Sequence, residues 1–287
     1  MTALPSFFPP YQGLVAAELQ RLMPQGGSAV EQAMAYTVLA PSKQVRAVLV
    51  LLCADLCRGT AARAVPVAAA VELVHASSLI LDDLPSMDDA PLRRGRASNH
   101  VQFGEATAIL AAFGLLNLAF GTIAHAYDPA LASRLTTTIA GSVGPDGLVG
   151  GQALDLETTD RQIDFATLER IHRGKTGALF VAAACCGALT AGAAPDALSA
   201  LTAFARNLGL AFQIVDDLLD VEGDPAQTGK AVRADARKTT FVHFSGVEGA
   251  RQLAAELCDT ANRALTPFGA KADRLRELSA FVAARRL

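Results

Sequence analysis

The chain has 287 residues, of which 51% are hydrophobic and only 18% charged, with a formal net charge of −3 at pH 7. That length and a mean hydropathy of +0.30 suffice for a large buried core and exclude an intrinsically disordered protein. No long basic run is present, so nucleic acid is excluded as an expected partner.

Taken in chain order, the N-terminus MTALPSFFPPYQGL has neither a basic region nor a long apolar core and does not read as a signal peptide. The segment PSKQVRAV follows, with Lys43 and Arg46 as candidate phosphate-binding cations at the start of an apolar helix. Next comes ELVHASSLILDDLPSMDDAPLRRGR, residues 72–96. It is an apolar helix that ends at Asp82 and Asp83, a bend forced by Pro85, a second aspartate pair at Asp88 and Asp89, and Arg93, Arg94 and Arg96. His75 precedes Asp82 by seven residues and so shares its helix face. Carboxylates at a helix C-terminus sit at the negative end of the dipole, where positive charge is favoured. Two of them 6 Å apart repel by roughly 0.7 kcal/mol in water and by roughly 3 kcal/mol at an effective dielectric near 20. In a cleft, such a cluster needs counter-ions.

The stretch Ala106–Ala124 is apolar enough to register as a membrane span, as is Gly177–Pro195. Both are rich in Ala and Gly, which suits close packing at the centre of a helical domain, and no integral membrane association is expected. Asp128-Pro129 is an N-cap with Pro at the first helical position. The glycines at 144, 147, 150 and 151 are read as bracketing a loop. HRGKTG supplies Lys175, and Pro195-Asp196 opens a long helix that ends at Gly223. Near its end, QIVDDLLD places Asp216 and Asp220 on one face with Gln213 three residues earlier. The two aspartate clusters are expected to face each other. Five cysteines, an odd set without CxxC spacing, suit reduced thiols in a cytoplasmic protein.

Helical periodicity runs through nearly every segment and strand patterns are essentially absent, so the expected fold is all-α, with about ten to twelve helices. No linker or composition shift divides the chain, which is read as one domain over residues 1–287. Hard oxygen donors without His or Cys select Mg²⁺, with Mn²⁺ as the substitute, and neither cluster has the calcium loop of an EF-hand. Two acidic walls with a cationic rim describe a diphosphate site. No glycine-rich P-loop is present for a nucleotide.

With these motifs in this order, the chain from about Lys43 to Thr240 resembles the trans-isoprenyl diphosphate synthases, the polyprenyl synthetase group. The first cluster is similar to the family's DDxxxxD region and DDLLD to its second, DDxxD. FGEATAILA, GGQALDLE, HRGKTGALF and GKAVRADARKTT extend the likeness, which is closest to bacterial carotenoid-pathway geranylgeranyl diphosphate synthases.

The resemblance implies a helical isoprenoid-synthase fold with a central cleft, a homodimer, and Mg²⁺ held by Asp82, Asp88 and Asp216, with Asp83, Asp217 and Asp220 supporting. It implies that Arg93, Lys175, Thr176, Gln213 and Lys230 touch an allylic diphosphate (dimethylallyl, geranyl or farnesyl), and that Lys43, Arg46, His75 and Arg94 hold isopentenyl diphosphate. Gln44 and Ala47 depart from the family's GGKRxRP pattern, where an Arg and a Pro stand. Ser77 and Ser78, five and four residues before Asp82, are small where farnesyl-producing relatives carry an aromatic ring. They favour the C20 product of 1'-4 condensation, unless Phe113 closes the pocket lower down. The alternatives are a farnesyl or geranyl diphosphate synthase, or a non-catalytic partner subunit of a heteromeric prenyl synthase, against which the intact aspartates argue.

Overall fold

In this computed structural model the described residues are 4–24, 26–222 and 238–285. They form thirteen α-helices, with one two-stranded hairpin among them. The first four are α1 (Phe8–Leu22), α2 (Ala29–Val38), α3 (Val45–Leu56) and α4 (Ala61–Asp82), and the hairpin pairs β1 (Leu92–Arg93) with β2 (Arg96–Ala97). Then come α5 (Asn99–Phe103), α6 (Glu105–Ala126), α7 (Pro129–Val143), α8 (Leu148–Glu157) and α9 (Phe165–His172). A π-helical turn, Arg173–Gly177, runs into α10 (Ala178–Thr190), and α11 is Pro195–Glu222. After residue 237, α12 (Phe241–Ala264), a 3-10 segment (Thr266–Ala272) and α13 (Asp273–Ala283) complete the description.

The all-α expectation holds, and the helix ends follow their local chemistry. Asp128 accepts the N–H of Leu131 at 3.1 Å, with Pro129 at the first position of α7. Ser28 and Glu31 form a capping box on α2. The hairpin, which the periodicity did not announce, turns through Arg94 (φ 55) and Gly95 (φ 73). Positive φ at both central residues is the backbone that matches the twist of a two-residue hairpin.

The core is built on α3, α4 and α10, whose facing residues are Val, Leu and Ala with exposures at or near zero. A second, smaller cluster joins Leu168, Ile214, Val215, Phe241 and Ala254, packing α11 against α9 and α12. The five cysteines are free thiols, as the sequence suggested. Of the two apolar stretches, 106–124 does form a long helix, α6. The stretch 177–195 does not: α10 ends at Thr190, and Gly192, at φ 69, turns the chain before Pro195 opens α11. By length and composition alone α4, α6 and α11 are each long and apolar enough to cross a membrane, yet 67% of the α4 window is buried inside the protein.

Pro66 lies inside α4 and lacks the N–H that a helix interior requires. One residue on, the ladder is bridged from outside: the N–H of Val67 donates to the Tyr127 hydroxyl at 3.1 Å, and that hydroxyl donates to the Arg63 carbonyl at 2.7 Å. Tyr127 therefore stands in for a missing helical bond. Tyr127→Phe leaves both groups short of a partner and should cost about 1–2 kcal/mol in urea-induced unfolding; an unchanged midpoint and slope would contradict this bridge.

Candidate active site

The first aspartate cluster is shaped by the end of α4. Beyond Asp82 the chain bends at Pro85 and returns its own amides to the helix terminus. Asp88 N–H donates to the Asp82 carbonyl at 2.9 Å, Asp89 N–H to Leu84 at 3.1 Å, and Ala90 N–H to Asp83 at 3.2 Å. The carbonyls that a helix end leaves orphaned are thus satisfied. The six-residue step from Asp82 to Asp88 becomes a compact acidic wall. Burial, reinforced by Asp88, holds the Asp82 carboxyl above its usual range against the pull of Lys175 and Arg93, so added positive charge is favoured there. Asp83 points elsewhere. It is 2% exposed and accepts the Arg93 Nε at 2.9 Å, which fastens the hairpin to α4.

The second wall is the last two turns of α11. Asp216 is ion-paired with Arg285, just beyond α13, and the Arg285 guanidinium lies 4.1 Å from the Phe212 ring centre. Asp220 lies one turn further on, half-buried. Asp217 is on the opposite side and buried: it accepts the Phe241 N–H at 3.0 Å and the Gln213 amide at 3.0 Å. It anchors α12 to α11. Its part is support of the wall, from the side away from Asp216.

From the first wall runs a ladder of alternating charge. Asp88 Oδ1 accepts from Lys238 Nζ at 2.7 Å, Lys238 reaches Asp155 Oδ2 at 3.0 Å, and Lys175 Nζ donates to the same oxygen at 2.8 Å. Burial alone would push the Asp155 carboxyl up, but the two lysines hold it below its usual range. Burial alone would push Lys238 down, but Asp155 and Asp88 hold its pKa well up. Thr176, next to Lys175, donates to the Gln213 side chain at 2.8 Å, and Gln213 in turn holds Asp217. The π turn makes this possible by carrying Lys175 and Thr176 side by side between α8 and α11.

Close backbone approach positions that turn. A Cβ on Gly151 would collide with the Lys175 amide nitrogen, and one on Gly174 would lie 3.0 Å from the Gly151 Cα. Gly150 and Gly151 are inside α8, not in the loop expected from their spacing: Gly151 because α8 touches the π turn directly, and Gly150 because a Cβ there would collide with the Pro145 carbonyl of the preceding turn.

A cationic group forms the third side. Arg46 is 9% exposed, with its guanidinium 4.7 Å from the Phe180 ring centre and 5.8 Å from that of Phe212. Burial pushes it down to about 10. Its Nη1 lies 3.3 Å from His75 Nε2. A guanidinium only donates, so His75 Nε2 accepts and the ring carries its proton on Nδ1. Burial and the positive charge of Arg46, Arg94 and Arg93 push His75 well below its ordinary value, so it is neutral. Lys43 stands at the rim, 5.9 Å from the Phe281 ring.

Most expected site residues thus converge. Lys230 lies outside the described residues. Phe113 is the correction: its side chain is on the outer face of α6 with 66% of its surface exposed, so it does not close a pocket inside this chain. Ser77 does face inward, its hydroxyl donating to the Ala112 carbonyl of α6 at 2.8 Å, while Ser78 is half-buried with its hydroxyl folded back onto the His75 carbonyl at 2.9 Å. The sequence reading missed Asp155, Lys238, Glu72 and Arg285. Asp155 had a signal, a lone charge between leucines in GGQALDLE, and Glu72 stood out in the apolar run AAAVELV. Lys238 stands in GKAVRADARKTT, which was read for Lys230 alone, and Arg285 had no signal beyond its sign.

The family model for polyprenyl synthetases matches residues 28–264. The chain is 40% identical over 267 residues to the farnesyl diphosphate synthase of Geobacillus stearothermophilus, covering 91% of this chain and 90% of that one. It is also 40% identical over 266 residues to geranylgeranyl pyrophosphate synthase 11, chloroplastic, of Arabidopsis thaliana, covering 89% and 74%. The structure aligns with a geranyltransferase from Helicobacter pylori complexed with magnesium and isoprenyl diphosphate, at a TM-score of 0.85 and 26% identity over 98% of each chain. An all-α cleft with two acidic walls, in a chain so related to these enzymes, is that of a prenyltransferase. The chain belongs to the polyprenyl synthetase family, the trans-isoprenyl diphosphate synthases.

His172, at the end of α9, bears on the acid stability of this region. Both ring nitrogens are buried without a hydrogen-bond partner among the described residues, the ring packs 5.3 Å from that of Phe241, and burial lowers its pKa from 6.5 to about 4. Because the folded value lies below the unfolded one, the stability His172 contributes is complete above pH 6.5 and is lost as pH falls toward 4. The full loss is on the order of 3 kcal/mol. His172→Phe should flatten the fall in unfolding free energy between pH 7 and pH 4.5; an acid slope identical to wild type would contradict this assignment.

Proposed function

We propose that this chain is a Mg²⁺-dependent, cytoplasmic chain-elongating synthase that condenses isopentenyl diphosphate with dimethylallyl, geranyl and farnesyl diphosphates, releasing geranylgeranyl diphosphate. The observation that supports it most strongly is the Asp88–Lys238–Asp155–Lys175 ladder, which sets two lysines beside the first acidic wall. The donor set fits Mg²⁺. It is all carboxylate oxygen, and Mg²⁺ takes only one or two protein carboxylates per ion, leaving its other positions to water and phosphate oxygens. No ready-made group of three ligands occurs among the described residues, as that mode of binding requires none.

Asp82 and Asp88 on one wall and Asp216 on the other would hold Mg²⁺ ions, which when bound would supply electrostatic stabilisation of the departing diphosphate. Lys175 and Lys238, beside the same wall, hold phosphate oxygens of the allylic substrate, with Arg93 kept in place by Asp83 and Thr176 by Gln213. Lys43, Arg46, His75 and Arg94 hold isopentenyl diphosphate on the other side of the cleft. The allylic C–O bond breaks, the isopentenyl double bond attacks the resulting cation, and a proton leaves to regenerate an allylic double bond. Apolar walls from α4 and α6 keep water from trapping the cation.

Product length rests on Ser77 and Ser78, because relatives of equal identity carry farnesyl and geranylgeranyl names. Both side chains are small, and Ser77 lies buried against α6, its hydroxyl on the Ala112 carbonyl, where a bulkier residue would compete with a lengthening tail. The outer face of α6 exposes Ile109, Leu110 and Phe113 together, an apolar stripe that a second copy in a homodimer would cover.

The test is product sizing after incubation with labelled isopentenyl diphosphate, Mg²⁺ and each allylic starter. The wild type should yield the C20 alcohol after dephosphorylation, and Ser77→Phe should shorten the product by at least one isoprene unit. No elongated product from the wild type would remove the synthase reading; an unchanged profile in Ser77→Phe would remove only the pocket argument.

A further inference from the structure

One buried carboxylate takes no part in the reaction outlined above. Glu72 is 7% exposed, on the cleft-facing stripe of α4 that also carries His75, Leu79 and Asp82. Its Oε1 accepts the N–H of Ala47 at 3.1 Å, in the first turn of α3, next to Arg46. This bond depends on the departure at position 47, since the proline of the family pattern has no N–H to give. Together with His75 and Arg94, Glu72 also lines a cavity of about 10 Å³, room for about one water.

Charge explains why a carboxylate is kept here. Burial pushes the Glu72 carboxyl up, while Arg46, the Ala47 amide and Arg94 pull it back. Reciprocally, Glu72 is the foremost group supporting the charge on Arg46 and on Arg94 against their own burial. The two arginines need this for different reasons. Arg46 is clamped on aromatic rings, but Arg94 stands at the corner of an exposed hairpin, where its flexible side chain has open solvent as an alternative. Two guanidiniums facing one pocket repel, and the freer one is the one that leaves.

We propose that Glu72 is the positioning residue of the isopentenyl diphosphate pocket, holding the Arg46 and Arg94 guanidiniums toward one shared diphosphate. The inference rests on the assignment of those two arginines to that substrate. Glu72 itself does not touch the substrate. It acts by keeping the two cations convergent before the diphosphate arrives, so that less ordering is required on binding.

The test is steady-state kinetics of the full chain with Mg²⁺, varying isopentenyl and geranyl diphosphates separately, in wild type, Glu72→Gln, Glu72→Asp and Arg94→Gln. Glu72→Gln is isosteric and should raise the KM for isopentenyl diphosphate about tenfold, the scale of one buried charge interaction lost. The geranyl diphosphate KM and kcat should stay within about twofold. Glu72→Asp keeps the charge one methylene further back and should raise the same KM by less, about threefold.

A role in packing alone predicts the reverse order, with Gln harmless and Asp damaging, and that result would overturn the proposal. So would an unchanged or lowered isopentenyl KM in Glu72→Gln, or equal changes in both KM values. If Glu72→Gln does not fold, Glu72→Asp decides: a selective rise in the isopentenyl KM supports the proposal, and no rise overturns it. Arg94→Gln separates the two layers of the argument. An unchanged isopentenyl KM there shows that the arginine assignment is wrong, whereas a raised one beside an unaffected Glu72→Gln shows that only the Glu72 inference is.

Discussion

A single buried carboxylate, Asp155, shared between Lys175 and Lys238, joins the parts of the cleft that come from distant stretches of chain. Lys175 is on the π turn, Lys238 follows α11, and Asp88 at the far end of the ladder follows α4. Asp155 is buried, and the cost of burying its charge is offset by the two lysines it holds, whereas Asp88 at the outer end of the ladder is exposed. Much of the surrounding backbone serves this constraint: Gly151 and Gly174 let α8 meet the π turn, and the bend at Pro85 brings Asp88 back beside Asp82.

The same constraint separates two kinds of aspartate within each motif. Asp83 and Asp217 are both 2% exposed, and both are occupied in fastening one element to another. Their neighbours Asp82 and Asp216 face the cleft. One member of each adjacent pair therefore fastens the wall while the other sits among cations, Asp82 near Lys175 and Arg93 and Asp216 paired with Arg285, which is how a helix with period 3.6 turns two consecutive identical residues to different surroundings.

Much of this was legible in the sequence, because its signals are local. The caps at Asp128 and Pro129, the end of α4 at Asp82 and the shared face of Asp216 and Asp220 depend only on neighbours within a turn or two. What was not legible depends on long-range approach. Gly150 and Gly151 look like loop residues in sequence, and only their close approaches, to the Pro145 carbonyl and to Lys175 respectively, show why a helix needs them. Phe113 has the size to block a pocket, but its side of α6 is decided by packing against α4. Lys238 carries no pattern that marks it as a partner of a residue 150 positions earlier.

The central claim is that Asp82 and Asp216, on separate walls, act as one metal-diphosphate clamp. It is tested most directly by turnover as Mg²⁺ is titrated in Asp82→Ala, Asp216→Ala and the double variant. If the walls form a unit, each single variant loses most Mg²⁺-dependent turnover and the double variant is hardly worse than either. Full activity in either single variant, or losses that simply multiply in the double one, would contradict the account.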